Sequence, residues 1–252
     1  GDIRRNELSD FANIHKTGKI AMKLAPGDRI VGVQLCTERD DVLLTTRSGK
    51  CIRFAVTDIR VFKGRESTGV RGIKLASGDE VVSLALLGHA EASASEARAY
   101  LRQANAARKA QGETSSDETE IMAEDSVEES DEGTDEAILS PERYAELGAR
   151  EQFALAVSGQ GFGKRTSSYE YRVTGRGGSG IVAMAMGSKN SAIVAAFPVE
   201  ESDDLMMITN LGQTIRVPVS GIGIKGRSTQ GVTLFRLEDG ERVVSVERIA
   251  DS

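Results

Sequence analysis

The feature that most constrains the fold of this chain is a repeat with a period of about 50 residues. The stretch "KGRESTGVRGIKLASGDEVVSL" at 63–84 recurs in register as "KGRSTQGVTLFRLEDGERVVSV" at 225–246, and looser copies lie at 16–35 and 174–197. Spacings of 51, 111 and 51 residues separate the glycines that anchor the copies, Gly18, Gly69, Gly180 and Gly231. Spacings of 48, 112 and 51 residues separate the ends of four Gly-x-x-x-Arg stretches, Arg5, Arg53, Arg165 and Arg216. Because two anchors share one period, the sequence predicts a repeat protein.

Each repeat unit contains four candidate strands. In the clearest copy these are "DVLLTT", "KCIRFAV", "GVRGIKLA" and "EVVSLALL", with glycine turns at "RSGK" and "ASGD". Four strands in a repeat of this length predict an all-β, propeller-like fold with four-stranded blades. Residue 1 falls inside a blade, so roughly three and a half blades are visible, and we expect the chain to be a fragment of something longer.

Residues 88–151 interrupt the repeat and carry most of the negative charge. They hold 17 acidic and 6 basic residues, whereas the rest of the chain holds 21 acidic and 26 basic residues. An alanine-rich stretch at 90–111 and "SPERYAELGARE" at 140–151, with Ser140 as N-cap and Pro141 in the first turn, predict helices. Between them, Glu113 to Glu136 contains 12 acidic and no basic residues, a composition typical of disorder. We therefore expect blades at 1–87, the first incomplete, and at 152–252, separated by an acidic, partly helical and partly disordered insertion at 88–151.

The composition offers little material for a catalytic or metal site. His15 and His89 are the only histidines, and we expect both in exposed loops. Cys36 and Cys51 lack metal-site spacing and are too few for a disulfide framework, so we expect reduced core or strand residues. "GRGGSG" at 175–180 fits a dinucleotide-loop pattern, but the run after it aligns with a strand rather than a helix, which favours a turn. No apolar run of 18 residues exists to span a membrane. We predict no catalytic residue, no metal ligand and no cofactor.

Basic residues recur at equivalent positions of the repeats, which is the pattern that a phosphate-binding surface needs. A duplex presents a regular row of phosphates, and a periodic row of Arg and Lys can neutralise it without reading bases. The competing interpretation is that these charges solubilise exposed strand edges, but such charges need not repeat in register. The candidate DNA-binding residues are Arg4, Arg5, Lys16, Lys19, Lys50, Arg53, Lys63, Arg65, Arg71, Lys164, Arg165, Arg176, Arg216, Lys225 and Arg227.

With these residues in view, the chain resembles the C-terminal DNA-wrapping domain of the bacterial DNA gyrase A subunit. The resemblance rests on "TGKIAMKLAPGD", "STGVRGIKLASGDEVVSL", "GFGKRTSSYEY" and "STQGVTLFRLEDGERVVSVERIA", in this order. It implies a six-bladed β-pinwheel, a propeller variant whose blades exchange strands. It also implies that the basic rim bends double-stranded DNA, so that the holoenzyme, a type II topoisomerase, can introduce negative supercoils.

The same resemblance implies the setting in which the domain works. Its protein partners would be the gyrase B subunit, together with the rest of the A subunit, and ATP and Mg²⁺ would belong to those other parts. The domain itself would be non-catalytic, bacterial, cytoplasmic and associated with the nucleoid. We expect the isolated fragment to be monomeric.

Departures from the family pattern leave alternatives open. The family heptapeptide Gln-Arg-Arg-Gly-Gly-Lys-Gly is absent, and its nearest echo, "TGRGGSG" at 174–180, keeps Arg176 and three glycines. The chain therefore resembles the later repeats of the family. A related alternative is the C-terminal domain of the topoisomerase IV A subunit. A protein-interaction propeller whose basic stripe meets an acidic protein is a second alternative. The acidic run could compete with DNA for the basic rim, or it could be a tolerated solvated insertion.

Overall fold

Short strands that end at glycine turns make up most of the chain. The computed structural model describes residues 1–14, 16–112, 138–187 and 190–250. Its strands are β1 (Asp2–Ile3), β2 (Asp40–Thr46), β3 (Lys50–Ala55), β4 (Val70–Arg71), β5 (Val81–Gly88), β6 (Phe153–Ser158), β7 (Phe162–Ser167), β8 (Ile181–Val182), β9 (Ile193–Val199), β10 (Asp204–Thr209), β11 (Thr214–Pro218), β12 (Val232–Thr233) and β13 (Val243–Ile249). The α-helices are α1 (Ala94–Ala110) and α2 (Pro141–Ala149).

The repeats form separate antiparallel sheets that exchange strands. Two sheets have four strands, in the orders β5-β2-β3-β8 and β9-β6-β7-β12, and a third has the order β13-β10-β11. One edge strand of each four-stranded sheet, β8 in the first and β12 in the second, comes from the following repeat. In the same way, β4 pairs with β1 of the preceding repeat. The all-β propeller-like prediction and the strand exchange implied by the resemblance are confirmed.

One predicted strand is much shorter than its sequence pattern suggests. Within "GVRGIKLA" at 69–76, only Val70 and Arg71 have strand structure, and they pair with Ile3 and Asp2 rather than with their own repeat. Backbone hydrogen bonds from Gly72 and Ile73 converge on the Gly1 carbonyl, which ends the regular ladder. The placement of this segment in its own blade is therefore wrong, because the pairing partner lies in the repeat before it.

Small apolar side chains fill the space between neighbouring sheets. Ala85 and Leu87 of β5 pack with Ala154, Ala156 and other buried residues of the next blade. Leu205 and Met207 of β10 are fully buried in the following interface. Alanine allows the sheets to approach closely, which suits a chain with 4% aromatic residues. The core is thus divided into layers between blades.

The insertion contributes two helices that pack on the third repeat. The Ser93 hydroxyl and the Glu96 carboxylate form a capping box at the start of α1, and Ser140 caps α2 as predicted. Tyr100 lies 5.1 Å from Tyr144 and 5.0 Å from Tyr169 between ring centroids. Aromatic contacts therefore fix both helices against the short helical turn that follows β7. The acidic run from Glu113 to Glu136 lies outside the described residues.

The cysteines and histidines differ in part from expectation. Cys51 is buried in β3, where desolvation raises the pKa of its thiol to about 12, whereas Cys36 is exposed outside any strand. The core-or-strand prediction is therefore wrong for Cys36. The His89 imidazole is exposed and lies 2.9 Å from the Asp41 carboxylate, Nδ1 to Oδ1. His15 lies outside the described residues.

Candidate nucleic-acid interface

Three of the predicted DNA contacts are buried, and for these the prediction is wrong. The Arg53 guanidinium forms an ion pair with Asp41 at 2.8 Å and donates to the Ser168 carbonyl of the next repeat at 2.7 Å. The Arg165 guanidinium donates to the Ile222 carbonyl of its own next repeat at 2.6 Å. These two residues are 5% and 6% exposed. They join neighbouring blades and do not face a phosphate.

Lys164 is the third buried residue, and its ammonium binds backbone carbonyls of the loop at 226–229. Lys164 is 0% exposed. Its ammonium donates to the carbonyls of Gly226 at 2.8 Å, Arg227 at 2.5 Å and Thr229 at 2.9 Å. Desolvation lowers the pKa of Lys164 to about 7, and the Glu170 carboxylate opposes that shift. Lys164 therefore shapes the loop that carries Arg227 but cannot contact DNA itself.

The two other arginines that end Gly-x-x-x-Arg stretches, Arg5 and Arg216, lie in the first and last repeats. The Arg5 side chain is 15% exposed and reaches Glu38 at 3.7 Å. The Arg216 side chain is 62% exposed and donates through Nε to the Asp204 carboxylate at 2.6 Å. Arg216 is more exposed than Arg53 and Arg165 because β11 has no further strand beside it among the described residues.

A second set of predicted residues links consecutive repeats while staying near the surface. Each arginine donates to the backbone of the preceding repeat's exchanged segment, and the three donations are Arg65 Nη1 to the Ile20 oxygen at 2.9 Å, Arg176 Nη1 to the Arg71 oxygen at 3.0 Å and Arg227 Nη1 to the Val182 oxygen at 2.9 Å. The acceptors are equivalent positions, two residues after an anchoring glycine. These arginines position the surface backbone and still expose part of their side chains.

The segments that carry these arginines lie side by side. We define them as the connecting segments, residues 16–23, 60–74, 172–186 and 223–236. Backbone hydrogen bonds join each to the next, from Lys23 N to the Ser67 oxygen at 3.2 Å, Lys74 N to the Gly178 oxygen at 2.8 Å and Ala185 N to the Thr229 oxygen at 3.1 Å. The four connecting segments therefore form one continuous strip across the repeats, which we call the basic band.

The basic band has an extreme charge balance. Its four segments contain 13 Lys and Arg residues and a single acid, Glu66. Sequence reasoning missed exposed members of the band, and these are Lys23, Arg60, Lys74, Arg172 and Arg236. The signal was present, because the fifth residue after the anchoring glycine is basic in three of the four copies. A polyanion laid along the band would meet positive charge from every repeat.

The structure divides the remaining predictions between the band and its surroundings. Lys16, Lys63 and Arg71 are exposed in the band, and Lys225 is partly exposed there. Lys19, also in the band, donates to the Asn13 carbonyl at 3.0 Å. These placements keep them in the candidate interface.

Two predicted residues lie beside the band rather than in it. The Arg4 guanidinium donates to the Ser67 carbonyl at 2.7 Å and lies 4.9 Å above the Phe62 ring centroid. Arg4 therefore supports the second connecting segment from its flank. Lys50 is partly exposed on β3, outside the segments.

Other kinds of site receive little support. Within the four described ranges, no group of three or more His, Cys, Asp or Glu residues is arranged to hold a metal ion. No helix among those same residues is long and apolar enough to cross a membrane.

Comparison with known proteins identifies a family whose model matches the repeats. A family model described as DNA gyrase C-terminal domain, beta-propeller, matches residues 3–37, 40–87, 152–200 and 203–250. The four matches follow the repeats and leave out the insertion. The DNA gyrase A subunit of Granulibacter bethesdensis is 52% identical over 98% of this chain and 26% of that protein. The corresponding protein of Rickettsia bellii is 43% identical over 100% of this chain and 26% of that protein. The chain thus spans about a quarter of these relatives' length.

Solved structures agree on the fold. A DNA gyrase A C-terminal domain superposes with a TM-score of 0.66 and 20% identity, covering 99% of this chain and 63% of that one. The C-terminal domain of a DNA topoisomerase IV gives 0.69 and 18%, covering 99% and 59%. The two scores show the shared blade architecture and do not separate the two enzymes. The family model covers most of the chain, and the chain belongs to the DNA gyrase C-terminal domain family.

Proposed function

We propose that this domain binds duplex DNA along the basic band and bends it around the edge of the blades. The observation that carries the proposal is the continuity of the band, in which four connecting segments with 13 basic residues and one acid are hydrogen-bonded side by side. Phosphates recur along a duplex, so a band with one cationic segment per repeat can follow the duplex backbone from one repeat to the next. Such contacts fix position and do not read bases.

The relatives supply the larger context of the proposal. They are named as the A subunit of DNA gyrase, and this chain corresponds to about a quarter of their length. We infer that the domain presents bent DNA to the strand-passage parts of a gyrase holoenzyme that also contains the B subunit. In that arrangement ATP and Mg²⁺ act elsewhere, the domain needs no cofactor, and the protein works on the nucleoid in the bacterial cytoplasm.

The band predicts which residues a binding experiment should change. Lys63, Arg71 and Lys74 are exposed in one connecting segment, so replacing all three by Gln removes charge without removing the arginine links between repeats. We expect duplex affinity to fall and the slope of log K against log salt to decrease by about 3. Fluorescence anisotropy with a labelled duplex, across a salt titration, measures both quantities.

A matched variant controls for net charge. Arg39, Lys109 and Arg242 are exposed outside the basic band, and their replacement by Gln removes the same number of charges. We expect this control to keep the wild-type salt slope. Equal slopes for the two triple variants would contradict the band as the DNA site. Retention on an acidic protein, with no binding to duplex DNA at moderate salt, would instead favour a protein-interaction role.

A further inference from the structure

The residue before the arginine of a Gly-x-x-x-Arg stretch contacts a loop of the basic band in the following repeat. At the three described junctions this residue is Arg4, Ile52 or Lys164. The loops that these residues contact align through the anchoring glycines, and they are residues 63–67, 174–178 and 225–229. Two of the three loops are therefore held by a cation and one by an alkyl side chain.

Both cations bind uncharged backbone oxygens at equivalent positions. The Arg4 guanidinium donates to the carbonyls of Gly64 at 2.5 Å and Ser67 at 2.7 Å. The buried Lys164 ammonium donates to the two equivalent carbonyls of its own loop and also to the Arg227 carbonyl between them. Each cation thus turns the carbonyl groups of its loop towards the interior of the protein.

The amide groups of the loop at 225–229 must then point the other way. A trans peptide group directs its N–H away from its own C=O, and no cis peptide bond occurs among the described residues. Because Lys164 binds the carbonyls of Gly226 and Arg227, the N–H groups of Arg227 and Ser228 point away from the ammonium. Neither N–H has an acceptor in the part of the chain that the structure describes, and both residues are partly exposed.

The loop at 174–178, which has no cation, uses its amide differently. The Ile52 Cδ1 atom lies 3.7 Å from the position of a Cβ at Gly178. The Gly177 N–H, equivalent to that of Ser228, donates to the Gly72 carbonyl of the preceding connecting segment at 2.6 Å. Gly177 reaches this bond with a φ of 85°, a region that no described non-glycine residue occupies. An amide that faces outward without an acceptor therefore accompanies the cation and not the alkyl side chain.

Acidic residues distinguish the two loops that have a cation. Glu66, the single acid of the basic band, occupies the position of Ser228 in the loop at 63–67, where it would repel an anion. The loop at 225–229 contains no acid. The Glu170 carboxylate approaches that loop, 3.8 Å from the position of a Cβ at Gly226, and offsets part of the charge of Lys164. The loop at 225–229 is thus the better suited of the two to an anion.

We propose that the backbone N–H groups of Arg227 and Ser228 form a phosphate seat, for which Lys164 is the positioning residue. Successive backbone N–H groups in a turn bind anions in a concave site, and the buried ammonium adds positive charge behind them. The phosphate that fits this role is one of the duplex backbone, so the inference rests on the proposed function. Inorganic phosphate presents the same oxygen atoms and therefore serves as a separate probe.

Backbone amide NMR of the ¹⁵N-labelled chain, titrated with inorganic phosphate at constant ionic strength and separately with a short duplex, tests the seat. We expect the amide resonances of Arg227 and Ser228 to shift in both titrations. With inorganic phosphate the Gly177 resonance should stay in place, because its N–H is already bonded to the Gly72 carbonyl. Lys164→Met, which leaves the loop without its donor, should lose the shifts at Arg227 and Ser228.

The two titrations separate failure of the seat from failure of the proposed function. Resonances of Arg227 and Ser228 that move in neither titration would overturn the seat, as would an equal shift of Gly177 with inorganic phosphate. Shifts with inorganic phosphate, combined with no binding of the duplex, would support the seat and contradict the proposed function.

A proline substitution removes one donor of the seat without changing the charge. Ser228→Pro eliminates the N–H, and Ser228→Ala is the matched control that keeps it. We expect the proline variant to bind duplex DNA about tenfold more weakly, since a hydrogen bond to a charged group is lost, and to keep the salt slope. Equal affinity of the folded proline and alanine variants would overturn the seat and leave the proposed function intact. The NMR titrations need no substitution at Ser228, so they decide the matter if the proline variant does not fold.

Discussion

At the scale of single residues, Arg53 and Arg71 show that two cations of one repeat can have opposite environments. Arg53 neutralises Asp41, which is fully buried, whereas the Arg71 side chain is exposed in the basic band. We expect Arg53→Ala to lower the free energy of unfolding by about 3 to 5 kcal/mol, because it removes the guanidinium that neutralises a buried carboxylate. Arg71→Ala should change that free energy by less than about 0.5 kcal/mol and should weaken duplex binding.

Urea unfolding of the two variants, followed by duplex binding of the folded ones, checks this contrast. Arg39→Ala serves as a control for loss of an exposed charge outside the band. The assignment of Arg53 to structure would be wrong if its variant were as stable as Arg71→Ala.

Lys164 gives a residue-scale prediction about pH. Its folded-state pKa of about 7 lies below the ordinary value of 10.5, because burial disfavours the ammonium. Between these two values the unfolded chain binds the proton and the folded chain releases it. The free energy of unfolding contributed by Lys164 therefore rises with pH across that window and is constant below it.

The variant Lys164→Met should remove this pH dependence. It should also be less stable overall, because the carbonyls of Gly226, Arg227 and Thr229 lose their shared donor. Urea unfolding at about pH 7 and about pH 9 gives the relevant difference for each protein. Identical pH slopes for the unmodified chain and the variant would refute the assignment.

At the scale of elements, the insertion raises the question of what its acidic run does. The helices α1 and α2 flank that run in the sequence. Tyr100 of α1 packs on Tyr169, and the Tyr169 hydroxyl donates to the Leu147 carbonyl of α2 at 2.9 Å. We propose that the 12 acidic residues between Glu113 and Glu136 compete with DNA for the basic band. Replacing them by Asn and Gln should then tighten duplex binding at low salt, with a smaller effect at high salt because screening weakens the competition.

Anisotropy titrations of the neutralised variant provide the measurement. The helices should be kept, because removing them would expose the aromatic cluster and confuse a change in folding with a change in binding. Affinity equal to that of the unmodified chain at all salt concentrations would leave the run as a tolerated insertion.

The elements also show what the sequence could and could not predict. The long strands such as β2 and β5 were predictable because apolar runs between glycine turns are local signals. The helix α2 was predictable from Ser140 and Pro141. The exchanged strands were not, because two paired residues such as Val70 and Arg71 depend on a partner in another repeat. Pairing at that sequence distance has no local signature.

At the scale of the whole molecule, periodic charge has two causes that one sequence cannot separate. A residue that binds a repeating ligand recurs with the period, and so does a residue that joins one repeat to the next. Arg53 and Arg165 recur for the second reason, whereas Lys63 and Arg71 are exposed and we propose the first reason for them. Burial separates the two classes, and burial becomes visible only when the repeats are assembled. The family and the fold class were therefore predictable, while membership of the band was only partly so.

The central claim is that the basic band bends DNA with a fixed hand, and one topological measurement tests it most directly. A nicked plasmid is ligated in the presence of increasing amounts of the chain, the protein is removed, and the linking number is read by gel electrophoresis. We predict a shift of one sign that grows with protein and that shrinks when Lys63, Arg71 and Lys74 are replaced by Gln. Binding without any shift in linking number would contradict the account, because a bend of fixed hand constrains writhe that ligation must record in the closed circle.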